Sequence, residues 1–136
     1  MRAQNRGMGK VAPKVRIKRI YDDPAPDDGA RVLVDRLWPR GLTKAKAAID
    51  RWDKEVAPST ALRQWFGHDP ARWDEFRRRY REELSAEGEA CDRLRALAET
   101  GPVTLLYGAR DEAHNQAVAL RDMLLEDEAS PQGGSK

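Results

Sequence analysis

Two short runs of uninterrupted apolar residues constrain the fold of this chain more than any other feature. The first, Val32-Leu-Val34, lies at the centre of a strand predicted over Arg31–Trp38, and the second is Val103–Tyr107. A strand with one face in water alternates apolar and polar residues, whereas a strand covered on both faces is continuously apolar. Val15–Tyr21 alternates apolar and basic residues and is predicted as a further strand with one wetter face. These runs predict a sheet with a buried centre.

Helical patterns separate the predicted strands. Four residues at spacings of three and four form one apolar helical stripe, namely Trp73, Phe76, Tyr80 and Leu84. The other predicted helices are Lys44–Ile49 after the cap Thr43, Ala61–Phe66, Glu87–Thr100 and Ala113–Leu125, with Pro70 opening the helix that carries the stripe. Residues 52–56 are predicted as a strand or an irregular segment. Strands that alternate with helices indicate an α/β fold with a mostly parallel central sheet flanked by helices.

Length and charge limit the remaining possibilities. A chain of 136 residues suits one domain, and we predict a flexible leader at residues 1–13, a single α/β domain at 14–126 and a disordered tail at 127–136. The net charge of +2 depends on three cations in the leader, so the rest of the chain is close to neutral. One cysteine, Cys91, cannot form an internal disulfide. Since no apolar run is long enough for a membrane span, a cytoplasmic protein is predicted.

Polar residues follow both apolar strands at the point where each strand ends. The first cluster contains Asp35, Arg36, Trp38 and Arg40, and the second contains Tyr107, Arg110, Asp111, His114 and Asn115. In an open parallel sheet, ligands bind outside the carboxyl ends of the strands. If the two strands are parallel neighbours, both clusters therefore face the same crevice.

Acid–base chemistry is one use of these clusters. The candidate catalytic groups are Asp35, Asp111 and His114, because a carboxylate held beside Arg stays ionised and a histidine exchanges protons near neutral pH. Each also has a structural interpretation. Asp35 could pair with Arg36 at the strand end, Asp111 could be the N-cap of the last helix, and His114 could be a solvated residue of its first turn.

Binding of an anionic small molecule, such as a nucleotide or a phosphorylated compound, is the favoured function. The candidate ligand-binding residues are Arg36, Trp38, Arg40, Tyr107, Arg110 and Asn115. The free N–H groups of the last helix would add to the attraction. No GxGxxG or P-loop motif is present and no metal site is predicted, so the cofactor stays unknown, as does the oligomeric state.

Two alternatives without catalysis stay open. Arg77–Arg81 and the basic first strand could bind nucleic acid, although the acidic residues on the same helix make it a poor phosphate-binding stripe. A protein-interaction or regulatory module is the other alternative. His68, within Gly67-His-Asp-Pro70, is interpreted as a loop or capping residue.

Several sequence motifs resemble a known family. They are Val34-Asp-Arg-Leu-Trp-Pro-Arg-Gly41, His68-Asp-Pro70, Trp73-Asp-Glu-Phe76, Val103-Thr-Leu-Leu-Tyr107 and His114-Asn115. The chain is similar, over about residues 15–125, to the YeaO-like branch of the bacterial domain-of-unknown-function 488 (DUF488) family. The resemblance implies a compact α/β domain with recurrent polar residues at both clusters. It leaves the reaction open, and Tyr107 stands where longer branches of the family have cysteine chemistry.

Overall fold

A computed structural model describes the main chain of residues 14–129 and the side chains of residues 14–126. It contains one four-stranded sheet in which every strand pair is parallel. The strands are β1 (Val15–Arg19), β2 (Ala30–Leu33), β3 (Arg51–Trp52) and β4 (Val103–Tyr107), in the spatial order β1-β4-β2-β3. The predicted α/β fold with a parallel sheet is confirmed.

Within residues 14–129, five α-helices accompany the sheet. They are α1 (Lys44–Ala47), α2 (Thr60–Phe66), α3 (Trp73–Ser85), α4 (Gly88–Thr100) and α5 (Gln116–Ala129). Short 3-10 turns occur at Pro26–Asp28, Lys54–Val56 and Pro70–Arg72. Hydroxyl caps begin two of the helices, because the Thr43 side chain accepts from the Lys46 N–H and the Ser59 side chain accepts from the Leu62 N–H. The predicted cap at Thr43 is therefore present.

The two faces of the sheet bury different cores. Val32, Val34 and Leu105 point to one face, where they pack with residues of α2–α5 such as Phe76 and Leu120. On the opposite face a smaller cluster contains Ile20, Leu33, Ala47 and Leu106, with partly buried Trp38, Leu42, Ile49 and Trp52 packed against it. Since successive side chains of a strand alternate between faces, a sheet covered on both sides needs continuously apolar strands.

The strand predicted over Arg31–Trp38 is shorter in the structure. β2 ends at Leu33, although the Val34 N–H still donates to the Leu106 carbonyl at 3.0 Å. On its other side β2 pairs with β3 over two residues only, and after Val34 the chain leaves the sheet. The segment predicted at 52–56 likewise contains only the end of β3, followed by a 3-10 turn.

The last helix begins three residues later than the predicted Ala113. Residues 111–114 form a separate turn, so His114 and Asn115 lie before the helix and not in its first turn. At its other end α5 continues to Ala129, three residues into the predicted tail, where Glu and Ala favour helix. The predicted leader at residues 1–13 lies outside the described residues, as does the tail from residue 130. Within residues 14–129, no helix has the length and apolar character needed to cross a membrane.

Candidate functional site

The carboxyl ends of β4 and β2 meet at a topological switch point. These strands are neighbours, yet the chain leaves them in opposite directions. After β4 it enters α5, which packs on β1 and β4, whereas after β2 it passes through α1 to β3 on the other side. Diverging connections open a crevice between two parallel strands, and this is where open α/β sheets bind ligands. The predicted site therefore lies at the switch point.

Asp35 connects three elements at the switch point. Its Oδ2 accepts from the Gly108 N–H at 2.9 Å, and its Oδ1 accepts from Gln116 Nε2 at 2.6 Å. Gln116 is the first residue of α5 and also donates to the Val34 carbonyl at 3.3 Å. The carboxyl group thus joins the end of β2 to the end of β4 and to the beginning of α5.

The environment of Asp35 differs from the predicted one. Burial raises the pKa of its carboxyl group, and this effect is only partly offset by the Gly108 N–H, the charge of Arg63 and the Gln116 amide. No described Lys or Arg forms an ion pair with Asp35, so the predicted pairing with Arg36 does not occur. The expectation that a neighbouring arginine keeps this carboxylate ionised is wrong, because its contacting donors are uncharged amides.

Arg36 binds main-chain carbonyl groups. Its Nε donates to the Pro58 carbonyl at 2.8 Å, and its Nη2 donates to the Ala57 carbonyl at 3.3 Å. Arg36 therefore fastens the loop after β2 to the segment before α2. These hydrogen bonds occupy the Arg36 guanidinium group, which the sequence predicted to bind an anion.

Trp38 lies in the smaller core and connects it to the site. Its Nε1 donates to the Leu42 carbonyl at 2.6 Å, and its ring meets that of Trp52 edge to face, with centroids 5.4 Å apart. Trp52 Nε1 in turn donates to the Asp35 carbonyl at 2.6 Å. The two indoles thus hold the main chain at Asp35 in place.

Asp111 and His114 form a compact turn after β4. Asp111 Oδ1 accepts from the N–H groups of Ala113 and His114, and Asp111 Oδ2 lies 3.0 Å from His114 Nδ1. The Ala113 N–H and the His114 ring lower the pKa of the Asp111 carboxyl group. The His114 ring also meets Trp73 of α3 edge to face, at 5.3 Å between centroids. Asp111 therefore caps this turn and not α5.

Asn115 is the N-cap of α5. Its Oδ1 accepts from the Val118 N–H at 3.1 Å, while its Nδ2 donates to the Asp111 carbonyl at 2.9 Å. Asn115 follows the end of β4, where Tyr107 is buried, and burial raises the pKa of the Tyr107 phenol. Because Asn115 satisfies a helix N–H, α5 offers fewer free donors to an anion than the sequence suggested.

Arg40 and Arg110 are the predicted anion ligands that stay available. Both side chains are exposed, and neither has a hydrogen-bond or ion-pair partner among the described residues. The main chain of Arg40 is held in place, because its carbonyl accepts from the Tyr21 hydroxyl at 3.0 Å. Arg40 follows β2 and Arg110 follows β4, so one free guanidinium group extends from each of the two loops at the switch point.

The structure brings some predicted residues together and separates others. Within the described residues, no hydrogen bond or ion pair joins Asp35 to Asp111 or His114. The sequence did not predict that Gln116 and the Gly108 N–H contact Asp35. Gln116 could have been found, because it is a polar residue directly after the second cluster. Sequence reasoning also missed Tyr21, whose position directly after β1 places it at the same edge. The part of the chain that the structure describes contains no group of three or more His, Cys, Asp or Glu side chains that could hold a metal.

Comparisons with known proteins agree with the resemblance. Residues 14–136 match a family model described as "Inactive DUF488-N3 subclade". The chain is 44% identical over 110 residues to "Uncharacterized protein YeaO" of Escherichia coli (strain K12), covering 81% of this chain and 96% of that protein. It is 45% identical over 111 residues to "Uncharacterized protein Mb3100c" of Mycobacterium bovis, covering 82% and 93%. No solved structure gives a significant match.

The family match extends over the described α/β domain. Residues 14–136 include the sheet, the five helices and both polar clusters, and the relatives match over nearly their whole length. The chain therefore belongs to the DUF488 family, in its YeaO-like branch and within the subclade described as inactive DUF488-N3.

Proposed function

We propose that this protein binds a small anionic molecule at the switch point and holds it without converting it. One observation carries the proposal: Arg40 and Arg110, on the two loops that diverge there, have no partner among the described residues. A guanidinium group binds phosphate or carboxylate through paired N–H donors. The description of the matched family model as inactive favours binding over turnover.

The carboxyl groups at this edge are occupied by protein donors. The Asp35 oxygens accept from the Gly108 N–H and from the Gln116 amide, and burial raises the pKa of this carboxyl group. Asp111 lies in a separate turn and accepts from the N–H groups of Ala113 and His114. Arg40 and Arg110 therefore supply donors that no described residue uses.

The surface of α3 gives less support to nucleic-acid binding. Arg78 forms ion pairs with Glu75 and Glu82, Arg79 pairs with Glu75, and Arg81 pairs with Glu126. Nucleic-acid phosphates would have to compete with these carboxylates for the same guanidinium groups. We therefore favour a small ligand.

A thermal-shift titration tests the proposal. The probes are inorganic phosphate and pyrophosphate, added to the wild-type chain and to the double variant Arg40→Ala/Arg110→Ala. Ligand binding to the native state stabilises it by about 2.7 kcal/mol at a concentration of 100 Kd. We expect the melting temperature of the wild type to rise with probe concentration, and that of the double variant to stay constant.

Arg93→Ala is the matched control, because Arg93 is an exposed arginine on α4, away from the switch point. It should respond to both probes as the wild type does. An equal response of the wild type and the double variant would contradict the assignment of the two arginines. No response of the wild type to any anion would contradict the proposed function itself.

Acid–base catalysis is a second candidate function, which one contact favours. The 3.0 Å contact between Asp111 Oδ2 and His114 Nδ1 orients the ring and leaves Nε2 for proton transfer. Mixing the wild type with pyrophosphate, and following its hydrolysis by phosphorus NMR, tests this candidate. Turnover that His114→Asn abolishes while binding persists would support catalysis, and an unchanged ligand would contradict it.

A further inference from the structure

A third guanidinium group lies at the carboxyl edge of the sheet. Arg19 is the last residue of β1 and stands in register with Tyr107, the last residue of β4. The strands β1, β4 and β2 are consecutive in the sheet and parallel, so their carboxyl ends lie at one edge. Arg19 therefore lies at the same edge as Arg110, which follows β4, and Arg40, which follows β2.

One hydrogen bond anchors the Arg19 guanidinium. Its Nε donates to the Ala109 carbonyl at 3.0 Å, and its central carbon lies 5.2 Å from the centroid of the Tyr21 ring. Arg19 is half-buried, and its two terminal amino groups, Nη1 and Nη2, have no hydrogen-bond or ion-pair partner among the described residues. A guanidinium group held through Nε presents its two Nη groups together, and such a pair can bind two oxygens of one phosphate group.

Two other anchored arginines use their terminal amino groups within the protein. Arg31 donates from Nη1 and Nη2, and Arg36 donates from Nη2. Arg19 is anchored as they are, yet keeps both terminal groups available. Because a side chain that is already ordered loses less conformational entropy on binding, Arg19 is better prepared to bind an anion than a fully exposed arginine is.

The contacts of Arg19 lead to both arginines of the proposed site. Ala109, whose carbonyl accepts from Arg19, directly precedes Arg110 in the chain. The Tyr21 ring lies against the Arg19 guanidinium, and the Tyr21 hydroxyl donates to the Arg40 carbonyl at 3.0 Å. Arg19 thus helps to hold the main chain of both loops from which the exposed arginines extend.

We propose that Arg19 is a third anion-binding residue of this edge and that the ligand carries two linked phosphate groups, as pyrophosphate does. Neighbouring strands lie about 4.8 Å apart, so three consecutive strand ends extend over about 10 Å. A diphosphate group offers oxygens over more of this length than a single phosphate group does, and it carries more negative charge for three guanidinium groups. This inference rests on the proposed anion-binding function and adds a residue and the class of ligand.

Calorimetric titration with pyrophosphate and with inorganic phosphate, at one ionic strength, tests the inference. Arg19→Gln is the main variant, because the amide nitrogen of Gln stands the same number of bonds from Cα as Nε of Arg. It can retain the hydrogen bond to the Ala109 carbonyl, but it lacks the charged Nη pair. We expect the wild type to bind pyrophosphate about tenfold more tightly than phosphate. Arg19→Gln should lose most of this preference and bind phosphate as the wild type does.

Arg16→Gln is the matched control, because Arg16 lies on the same strand at the opposite edge and pairs with Asp27. It removes the same charge and should bind both probes as the wild type does. Circular dichroism melts show whether each variant folds. If Arg19→Gln does not fold, Arg19→Met repeats the test, since it keeps an unbranched side chain against the Tyr21 ring and lacks every donor.

The outcomes separate this inference from the proposed function. Equal affinity of the wild type for the two probes would overturn the diphosphate class, and an unchanged preference in Arg19→Gln would overturn the role of Arg19. An equal fall in both affinities would show that Arg19 only holds the loops, and an equal effect of Arg16→Gln would show that overall charge sets the preference. In each case, phosphate binding that depends on Arg40 and Arg110 leaves the proposed function standing. If the wild type binds neither probe, both proposals fail.

Discussion

Each end of the sheet holds an aspartate, Asp28 buried and Asp35 half-buried, and the surroundings shift the pKa values of the two carboxyl groups in opposite directions. At the amino edge, Asp28 accepts from Lys18 at 3.1 Å, from Arg31 at 2.5 Å and from the Ala25 N–H at 3.0 Å. Burial raises the pKa of Asp28, but these donors together outweigh burial and lower it. At the carboxyl edge, Asp35 contacts only uncharged donors, and burial raises its pKa.

The difference separates an end whose charges are paired within the protein from an end with unpaired charges. Each nitrogen of the Arg31 guanidinium has a partner, because its Nε and Nη2 also donate to the carbonyls of Ala48 and Ala47. The buried cluster at the amino edge is therefore held by its own hydrogen bonds. At the carboxyl edge, by contrast, the exposed Arg40 and Arg110 side chains stay unpaired among the described residues.

The largest expected effect comes from breaking the amino-edge cluster. Asp28→Ala would leave the buried Arg31 without its carboxylate, and removing one partner of a buried ion pair costs about 3–5 kcal/mol. Urea denaturation measures this loss. Asp27→Ala is the control. The exposed Asp27 side chain forms a solvent-accessible ion pair with Arg16 at 3.5 Å, so we expect its removal to change the free energy of unfolding by about 0.5 kcal/mol. Similar losses for the two variants would contradict the structural role of Asp28.

A pair of glycines makes the next comparison between the two ends. Both Gly29 (φ +68°) and Gly41 (φ +76°) have left-handed backbone, which costs a side chain about 1–2 kcal/mol. An added methyl group at Gly29 would lie 2.2 Å from the Pro102 carbonyl oxygen, whereas at Gly41 it would meet nothing. We expect Gly29→Ala to cost about 3 kcal/mol and Gly41→Ala about 1 kcal/mol. If chemical denaturation gives equal losses of unfolding free energy for the two variants, the close contact of an added methyl group with Pro102 does not destabilise the amino edge.

The smallest effect is a change in pH dependence at Asp35. Because the folded state raises the pKa of this group above 3.8, the wild type loses stability as the pH rises from about 3.8 through the raised pKa. Asp35→Asn lacks this loss, so its stability relative to the wild type should increase with pH. Denaturation at pH 4, 5, 6 and 7 measures the trend, and a flat or falling difference would contradict it.

Asp28→Asn is the matched comparison for that trend. The lowered pKa of Asp28 means that its stabilising effect is present above pH 3.8 and is lost as the pH falls through the lowered value. The Asn variant should therefore lose its disadvantage in strong acid. Opposite pH trends for the two variants would confirm that the two ends of the sheet hold their aspartates differently.

The sequence by itself determined the α/β fold and the edge of the sheet at which the two polar clusters lie. Continuous apolar runs predict strands covered on both faces, and the polar residues that follow β2 and β4 meet once these strands are parallel neighbours. Both inferences depend on local periodicity, which a single chain displays directly. The sequence also predicts Arg40 and Arg110 as ligand-binding residues, since a charged residue in a loop after a buried strand is visible without knowledge of its neighbours.

Only the tertiary structure decided which of the predicted groups are available. The carbonyls that bind Arg36 lie more than 20 residues away along the chain, as do the donors that hold Asp35. Contacts between residues so distant in sequence depend on strand order and helix packing, which periodicity does not encode. For the same reason, Gly108 became a neighbour of Asp35 only when β4 and β2 were placed side by side.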